Sequence, residues 1–391
     1  MRRETIILSL FILVILSSGC VTETPRNESS VPRIQEMGIL EESIPERYDI
    51  IFSSVRHVLD KEECLQMNGK LKDNFLLDAS CNRAIYQSGD LRARRQLYLM
   101  DMETSETKRI LETQCFHLSG QVIDPLTIMT PAACSDTDND LLINDKDFVH
   151  IYTYNVSSKT MECLTCEKGM EAINNPDWSP AQGKILFSAR NGSFPNNNHL
   201  FTIDLEKNLA RITNDPEYMD FDCSWSEDGT KIVFSRMPVP AFEKPSGIWI
   251  MDSDGTNLRQ LTKGGNNPDN EENFGPFPVG IDVDPDISPD NGRIVFSRLI
   301  TGKRNIPFGV WQLVVISLAT GTETVYDSEY ANMVPEWKEN GILFIRQSSG
   351  AKPMDIKQSL YYFDPSSVEF RELETYPYSV FPVGAAGASW V

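Results

Sequence analysis

A strand-and-turn text that recurs along this chain limits what it can fold into more than any other feature. Four segments share it: DWSPAQGKILFSA from Asp177, CSWSEDGTKIVFSR from Cys223, DISPDNGRIVFSR from Asp286 and PEWKENGILFIR from Pro335. Their phenylalanines, Phe187, Phe234, Phe296 and Phe344, are spaced by 47, 62 and 48 residues. Each copy places Trp178, Trp225, Ile287 or Trp337 before a polar, glycine-bearing turn, and a β-branched run follows. Such runs suit a sandwiched strand, and glycine supplies the positive φ of a tight hairpin.

A second text alternates with the first: Leu97–Asp101, Ile151–Asn155, Leu200–Asp204, Ile248–Asp252, Leu313–Ser317 and Leu360–Asp364. Its last residues step by 54, 49, 48, 65 and 47. A sheet of this kind leaves both faces wet on its own, whereas stacking copies around an axis buries them. Six copies predict an all-β fold, a six-bladed propeller of four-stranded antiparallel blades. The first blade starts near Tyr48–Phe52 without a preceding tryptophan strand, and Ala385–Val391 reads as that missing strand. The C-terminus is therefore expected to complete blade one and remove two exposed sheet edges. Residues 47–391 give about 57 per blade, against ~40–45 for a minimal repeat. The surplus is expected in insertions at about 52–95 and 116–147.

The PDWSP-type turn, the IVFSR strand and the run WIMDSDGTNLRQLT resemble the repeats of the TolB-type β-propeller family, closely over 176–345 and more loosely over 90–165. Related repeats form the propellers of prolyl-oligopeptidase-type peptidases, whose hydrolase domain carries a G-x-S-x-G nucleophile elbow. This sequence contains no G-x-S-x-G, so that activity is not expected of it.

The N-terminus, MRRETIILSLFILVILSSGC, has Arg2 and Arg3 ahead of the apolar stretch Ile6–Leu16. Eleven helical residues at ~1.5 Å each are too short for the ~30 Å hydrocarbon core. Residues 1–19 read as an export signal peptide. Ser17, Ser18 and Gly19 lead into Cys20, which resembles a lipobox with Cys20 as the lipid-attachment residue, although Leu16 stands one step too early for that pattern. Plain secretion with an unmodified Cys20 is the alternative. Residues 20–46 are polar with three prolines, and read as a flexible tether between the lipidated Cys20 and a domain over 47–391.

With 36 Lys+Arg against 56 Asp+Glu, the net charge is −20, which excludes nucleic acid as a partner because phosphate contacts need clustered cations. Four histidines, none in a close pair, argue against a His-rich metal centre. The sharpest local motif is DTDNDLLINDKD, with Asp136, Asp138, Asp140, Leu142 (through its carbonyl), Asn144 and Asp147 at the spacing of an oxygen-ligand calcium loop. Leu141 replaces the usual turn glycine, and Asp147 the longer Glu. Calcium is the expected cofactor, with a structural role, and a solvated acidic turn is the alternative. Asp177, Ser224, Asp286 and Glu336 each precede the aromatic or branched residue of their repeat. Asp177, Asp286 and Glu336 are therefore candidate carboxylates around the axial channel, to be weighed against a role in holding turns through backbone N–H groups.

Beyond Cys20 there are seven cysteines. Cys64 with Cys81, and Cys115 with Cys134, are spaced to staple the two insertions, but sequence does not fix connectivity. Cys163 and Cys166 form a C-x-x-C without a second pair to complete a zinc site, and read as a disulfide or buried thiols. Together these features favour a lipid-anchored binding or scaffold module facing outside the cytoplasm, taking an envelope protein, a peptide or a glycan. The alternative is a hydrolase or other enzyme with a metal or carboxylate site at the channel mouth.

Overall fold

Runs such as Lys231–Pro238, buried at every position between their ends, require a partner on both faces. Every regular element among the described residues is accordingly a strand. The computed structural model describes residues 43–57, 94–111, 113, 115–137, 143, 147–191, 194–239, 246–264, 280–301, 309–327, 329–339, 341–349, 356–375 and 388–391. The signal segment, Cys20, most of the tether, Cys64 and Cys81 lie outside them.

In chain order, the first strands are β1 (Ile50–His57), β2 (Arg94–Met100) and β3 (Thr107–Arg109). Next come β4 (Phe116–His117), β5 (Gln121–Asp124), β6 (Thr127–Ala133), β7 (His150–Asn155) and β8 (Thr160–Cys163). The third group is β9 (Met170–Ser179), β10 (Lys184–Asn191), β11 (Phe194–Asp204) and β12 (Leu209–Arg211). The fourth is β13 (Tyr218–Trp225), β14 (Lys231–Pro238), β15 (Gly247–Asp252) and β16 (Arg259–Gln260). Then follow β17 (Asp282–Ile287), β18 (Arg293–Thr301), β19 (Val310–Ser317) and β20 (Glu323–Asp327). The chain finishes with β21 (Ala331–Lys338), β22 (Gly341–Ser349), β23 (Ile356–Asp364), β24 (Glu369–Thr375) and β25 (Ala388–Trp390).

The hydrogen-bonded sheets number five among the described residues, where six separate ones were expected. The cause is local. β17–β20 and β21–β24 are each antiparallel, but a single parallel bridge, Trp311 to Ala331, fuses them into one eight-stranded sheet. β25 pairs antiparallel with β1, Trp390 opposite Ile50 and Ala388 opposite Phe52. The edge strands touch in succession: β5 meets β9, β9 meets β13, β13 meets β17, β17 meets β21, β21 meets β25, and β25 meets β5. The arrangement is that of a β-propeller.

Apolar layers fill the spaces between neighbouring groups. Leu186, Leu200, Cys223, Trp225 and Phe234 join β9–β12 to β13–β16. Val233, Ile250, Phe296 and Val314 do so one step on. Ile50, Phe52, Trp390, Leu343 and Leu360 join the chain's start and end to β22 and β23. The repeat phenylalanines Phe187, Phe234, Phe296 and Phe344 are all at most 1% exposed. Each such burial contributes about 1.5–3 kcal/mol, and Phe-to-Ala truncation there costs about 3–5 kcal/mol. Gly341 opens β22 at φ 125°, with Tyr362 and the Phe363 carbonyl 2.6 and 2.9 Å from where a Cβ would stand, so no side chain fits there.

Two boundaries differ from expectation. The ordered domain begins before residue 47: Ile44 is buried and donates its N–H to the Pro125 carbonyl at 2.9 Å. One isolated apolar residue in a polar stretch gives no periodic signal. Residues 116–133 of the second expected insertion form β4, β5 and β6. That blade lacks the tryptophan-and-glycine turn by which the others are recognised, so its inner strands resemble a loop in the text.

Candidate functional site at the inner strand edges

Four of the inner strands carry the same irregularity. Opposite β10, β14, β18 and β22, the register of β9, β13, β17 and β21 slips by one residue. At the slip Asn175, Asp222, Asp284 and Val334 take φ of 43°, 47°, 51° and 52°. These are β-bulges, which re-aim the following side chains and tolerate the prolines Pro176, Pro285 and Pro335 beside them. Two residues beyond each bulge stand Asp177, Ser224, Asp286 and Glu336, the positions singled out in the sequence.

The structure brings all four together and adds three partners. Gln121 on β5 donates Nε2 to Asp177 Oδ1 at 2.7 Å, and its Oε1 accepts the Trp178 N–H at 2.7 Å. Asp177 Oδ2 accepts the Trp225 N–H at 2.6 Å, and Asp286 Oδ2 accepts the Trp337 N–H at 2.6 Å. Ser224 Oγ lies between the two aspartates, 3.4 Å from Asp177 Oδ2 and in a short hydrogen bond to Asp286 Oδ1. Ser389 on β25 donates to Glu336 Oε1 at 2.8 Å. The carboxylates of Asp177 and Asp286 thus accept backbone N–H groups of the next strand group around the axis, and Asp286 Oδ1 also accepts the N–H of its own neighbour Ile287 at 2.9 Å.

Lys338 is the charge at the centre of this belt. Burial works against its ammonium, but the carboxylates of Asp286, Glu336, Asp177 and Glu227 outweigh that and raise its pKa. Burial raises Asp286 to about 6. Burial also raises Glu336, to about 8, with the Asp286 charge pushing up and Lys338 pulling down. Near neutral pH the belt therefore holds Glu336 largely as the acid beside ionised Asp286.

A second tier is formed by the bulge residues themselves. Asn175 Nδ2 donates to Asp222 Oδ1 at 2.7 Å, and the Val334 N–H donates to Asp284 Oδ2 at 3.2 Å. Asp222 and Asp284 are 5% exposed, and Asp284 Oδ1 has no hydrogen-bond partner among the described residues. Burial raises the pKa of both, and the charge of Asp284 raises Asp222 further. The interaction between the two carboxyls raises Asp222 and lowers Asp284, and among the described residues no cation is their partner.

Sequence reasoning missed a third set. Arg236, Arg298 and Arg346, from the end of each IVFSR-type strand, stand in register opposite Asp220, Asp282 and Asn332. Arg236 grips Asp220 at 2.5 and 3.0 Å. Arg298 grips Asp282 at 2.6 and 2.9 Å and also Glu323 at 2.5 and 3.0 Å. Arg346 bonds Asn332 at 3.0 Å and Asp327. The signal was the repeated Arg paired with an acid or amide two residues before each bulge.

Of the expected calcium loop, Asp138, Asp140, Leu142 and Asn144 lie outside the described residues. Its ends are clamped together: buried Asp147 accepts the Thr137 N–H at 2.6 Å and the Thr137 hydroxyl at 2.9 Å through Oδ1. Cys115 is bonded to Cys134 and Cys163 to Cys166, while Cys223 is a buried free thiol. The first disulfide joins residues flanking the paired ends of β4 and β6 rather than closing a loop insertion. A cavity lined by Asp49, Met102, Tyr362, Asp364, Glu369 and Arg371 lies away from the belt. No helix among the described residues is long and apolar enough to cross a membrane.

Residues 91–238 match the family model of the dipeptidyl peptidase IV (DPP IV) N-terminal region. Among solved structures the chain is similar to TolB from Acinetobacter baumannii, 15% identical over 88% of this chain and 68% of that one, with a TM-score of 0.55. It is also similar to oligogalacturonate lyase from Vibrio parahaemolyticus, 12% identical over 75% of this chain and 74% of that one, TM-score 0.48. The tricorn protease follows at 16% identity over 71% and 24%, TM-score 0.48. No curated protein matches the chain. The likeness to TolB carries the fold and nothing finer.

Proposed function

We propose that this chain is a lipid-anchored, extracytoplasmic six-bladed propeller, closed by β25 on β1, that acts as a non-catalytic binding or scaffold module for an envelope protein, a peptide or a glycan. Six blades follow from treating β17–β20 and β21–β24 as separate units despite their single bridge. The cyclic succession of contacts from β5 through β25 and back to β5 supports closure. The anchor reading rests on the Cys20 segment alone.

The observation that carries the binding reading is the state of the belt. Asp177 and Asp286 each accept a backbone N–H of the neighbouring strand group, and Lys338 supplies the counter-charge. Carboxylates committed in this way hold a ring together, and leave the outer loops as the surface for recognition. The calcium loop is proposed as the ordering element of one such loop, with Asp147 and Thr137 closing its neck. Affinity capture from the native envelope with the lipid-free domain, with and without chelator, tests both points. One stoichiometric partner, lost on chelation, is the expected result. An empty capture on repeated envelope preparations overturns the binding reading.

One observation favours the enzymatic alternative. Glu336 stays an acid beside ionised Asp286, which is the division of roles that acid–base catalysis uses. Under that reading Asp286→Asn and Glu336→Gln abolish a turnover that substrate screening detects in the native protein.

A further inference from the structure

The two disulfides among the described residues stand in opposite surroundings. Cys115 is only 7% exposed, and its bond to Cys134 flanks a strand pair. Cys163 ends β8 and is partly exposed, and Cys166, in the turn that follows, is exposed. The Cys166 N–H donates to Cys163 Sγ at 3.0 Å. A ring nitrogen of His150, at the start of β7, lies within 4.8 Å of both sulfurs. His150 Nδ1 is 3.3 Å from Thr165 Oγ1, and Tyr152 Oη is 3.7 Å from Cys166 Sγ. Burial lowers the His150 pKa, which favours the neutral imidazole.

We propose that Cys163–Cys166 is an exchangeable redox pair, reduced by a dithiol donor that attacks Cys166 Sγ. Thiol–disulfide exchange depends on access to the attacked sulfur and on how well the other one leaves as a thiolate. Access selects Cys166. The N–H bond to Cys163 Sγ stabilises the negative charge that develops there, as backbone donors do for low-pKa cysteines.

The donor's first thiolate forms a bond to Cys166 Sγ as the Cys163–Cys166 bond breaks, and its electron pair leaves on Cys163. Neutral His150 takes the proton of the attacking thiol and delivers it to the Cys163 thiolate. The donor's second thiol, giving its proton to the departing sulfur, then displaces Cys166 and closes the donor's own disulfide. Two electrons and two protons pass from donor to chain. In the reduced state two thiols and the His150 imidazole face one another at a site that the oxidised chain keeps closed.

The test is a time course of the folded wild-type domain in dithiothreitol, with differential alkylation read by mass spectrometry. Cys163 and Cys166 are expected to be labelled at least tenfold faster than Cys115 and Cys134, before any loss of the folded-state melting transition. Labelling of all four together, or only after unfolding, overturns the proposal. With oxidised glutathione, Cys163→Ser is expected to carry a mixed disulfide on Cys166, and Cys166→Ser to form one on Cys163 at least tenfold more slowly. Equal rates for these two variants overturn the assignment of Cys166 as the attacked sulfur. His150→Ala is expected to slow wild-type reduction several-fold, and an unchanged rate removes His150 from the step.

Discussion

The two tiers of the inner edge solve one problem in different ways. Both bring carboxyl groups from neighbouring strand groups into a poorly hydrated space, where unpaired charge is costly. The belt of Asp177, Asp286 and Glu336 has a resident cation in Lys338 and backbone donors for two of its carboxylates. The bulge tier of Asp222 and Asp284 has one amide, the backbone N–H groups of Val334 and Asp284, and no cation among its partners. Where a counter-charge is built in, loss of that group should be severe. Where none is built in, replacing an acid by its neutral amide should be mild.

The largest effect is expected at the point where the belt crosses the chain ends. Deleting Ala388–Val391 removes Ser389 from Glu336, takes Trp390 out of its apolar layer and bares the edge of β1. Loss of a buried Trp alone costs about 3–5 kcal/mol. Urea unfolding of the truncated domain should show a loss of at least that size. An unchanged midpoint would mean that the belt and the fold do not depend on the seam.

Lys338→Met comes next and separates the two tiers most directly. It removes the ammonium whose charge pulls down the pKa of Asp286 and Glu336, and a buried charge left uncompensated costs up to about 3–5 kcal/mol. Because Lys338 is only partly buried, about 3 kcal/mol at pH 7 is the expected loss by urea unfolding. Asp222→Asn, in the other tier, should change stability by less than about 1 kcal/mol, because the neutral amide keeps the Asn175 hydrogen bond and removes a charge that burial and Asp284 both disfavour. If the two variants are equally damaging, the distinction between the two tiers fails.

Titration gives a finer reading of the belt. A carboxyl whose folded pKa is raised binds its proton more tightly in the folded state. Its stabilisation is present below the unfolded value and is lost as pH rises through the folded one. For Glu336 that window runs from its ordinary value near 4.5 up to about 8. Glu336→Gln, which mimics the acid, should therefore match wild type at pH 4 and exceed it at pH 9. The expected excess is about 1–2 kcal/mol, because a tenfold change in proton affinity corresponds to ~1.4 kcal/mol and the site is partly exposed. Comparing the two proteins cancels the opposite contribution of buried His117, lowered to about 3 by burial, which destabilises the fold as pH falls below about 6.5. Parallel profiles for the two proteins would place Glu336 in ordinary solvent.

How much of this was legible follows the repeat. The phenylalanines, the turns and the positions of Asp177, Asp286 and Glu336 are fixed by the text itself, because each strand must present the same face in every copy. Lys338 was legible too, though unread: it stands where the other copies have Ser179, Ser226 and Ser288, and a lone Lys among turn serines signals a local charge to be met. The bulges were not legible. Their left-handed residues are Asn175, Asp222, Asp284 and Val334, an amide, two acids and a β-branched residue with no single signature, and the prolines beside three of them read as strand breaks. Nor does spacing show that Gln121 and Ser389 join the ring, because their blades carry no copy of the turn text. The bridge between Trp311 and Ala331 depends on how two units settle side by side, which no local pattern encodes.

The smallest expected effect lies in the bulge tier, and it runs in the opposite direction. Val334 holds φ 52°, a conformation in which a β-branched side chain is strained by roughly 1–2 kcal/mol. Asn175 occupies the equivalent place without that penalty, since Asn tolerates the left-handed region. The Val334 N–H bond to Asp284 Oδ2 belongs to the backbone and survives any non-proline substitution. Val334→Asn therefore relieves strain at the cost of part of a half-buried apolar contact with the Met219, Phe221 and Met333 layer. We expect a net gain of about 0.5 kcal/mol, read as a rise in melting temperature of a degree or two. A loss instead would show that apolar packing, not backbone conformation, governs this tier, and would detach Val334 from the polar balance of Asp222 and Asp284.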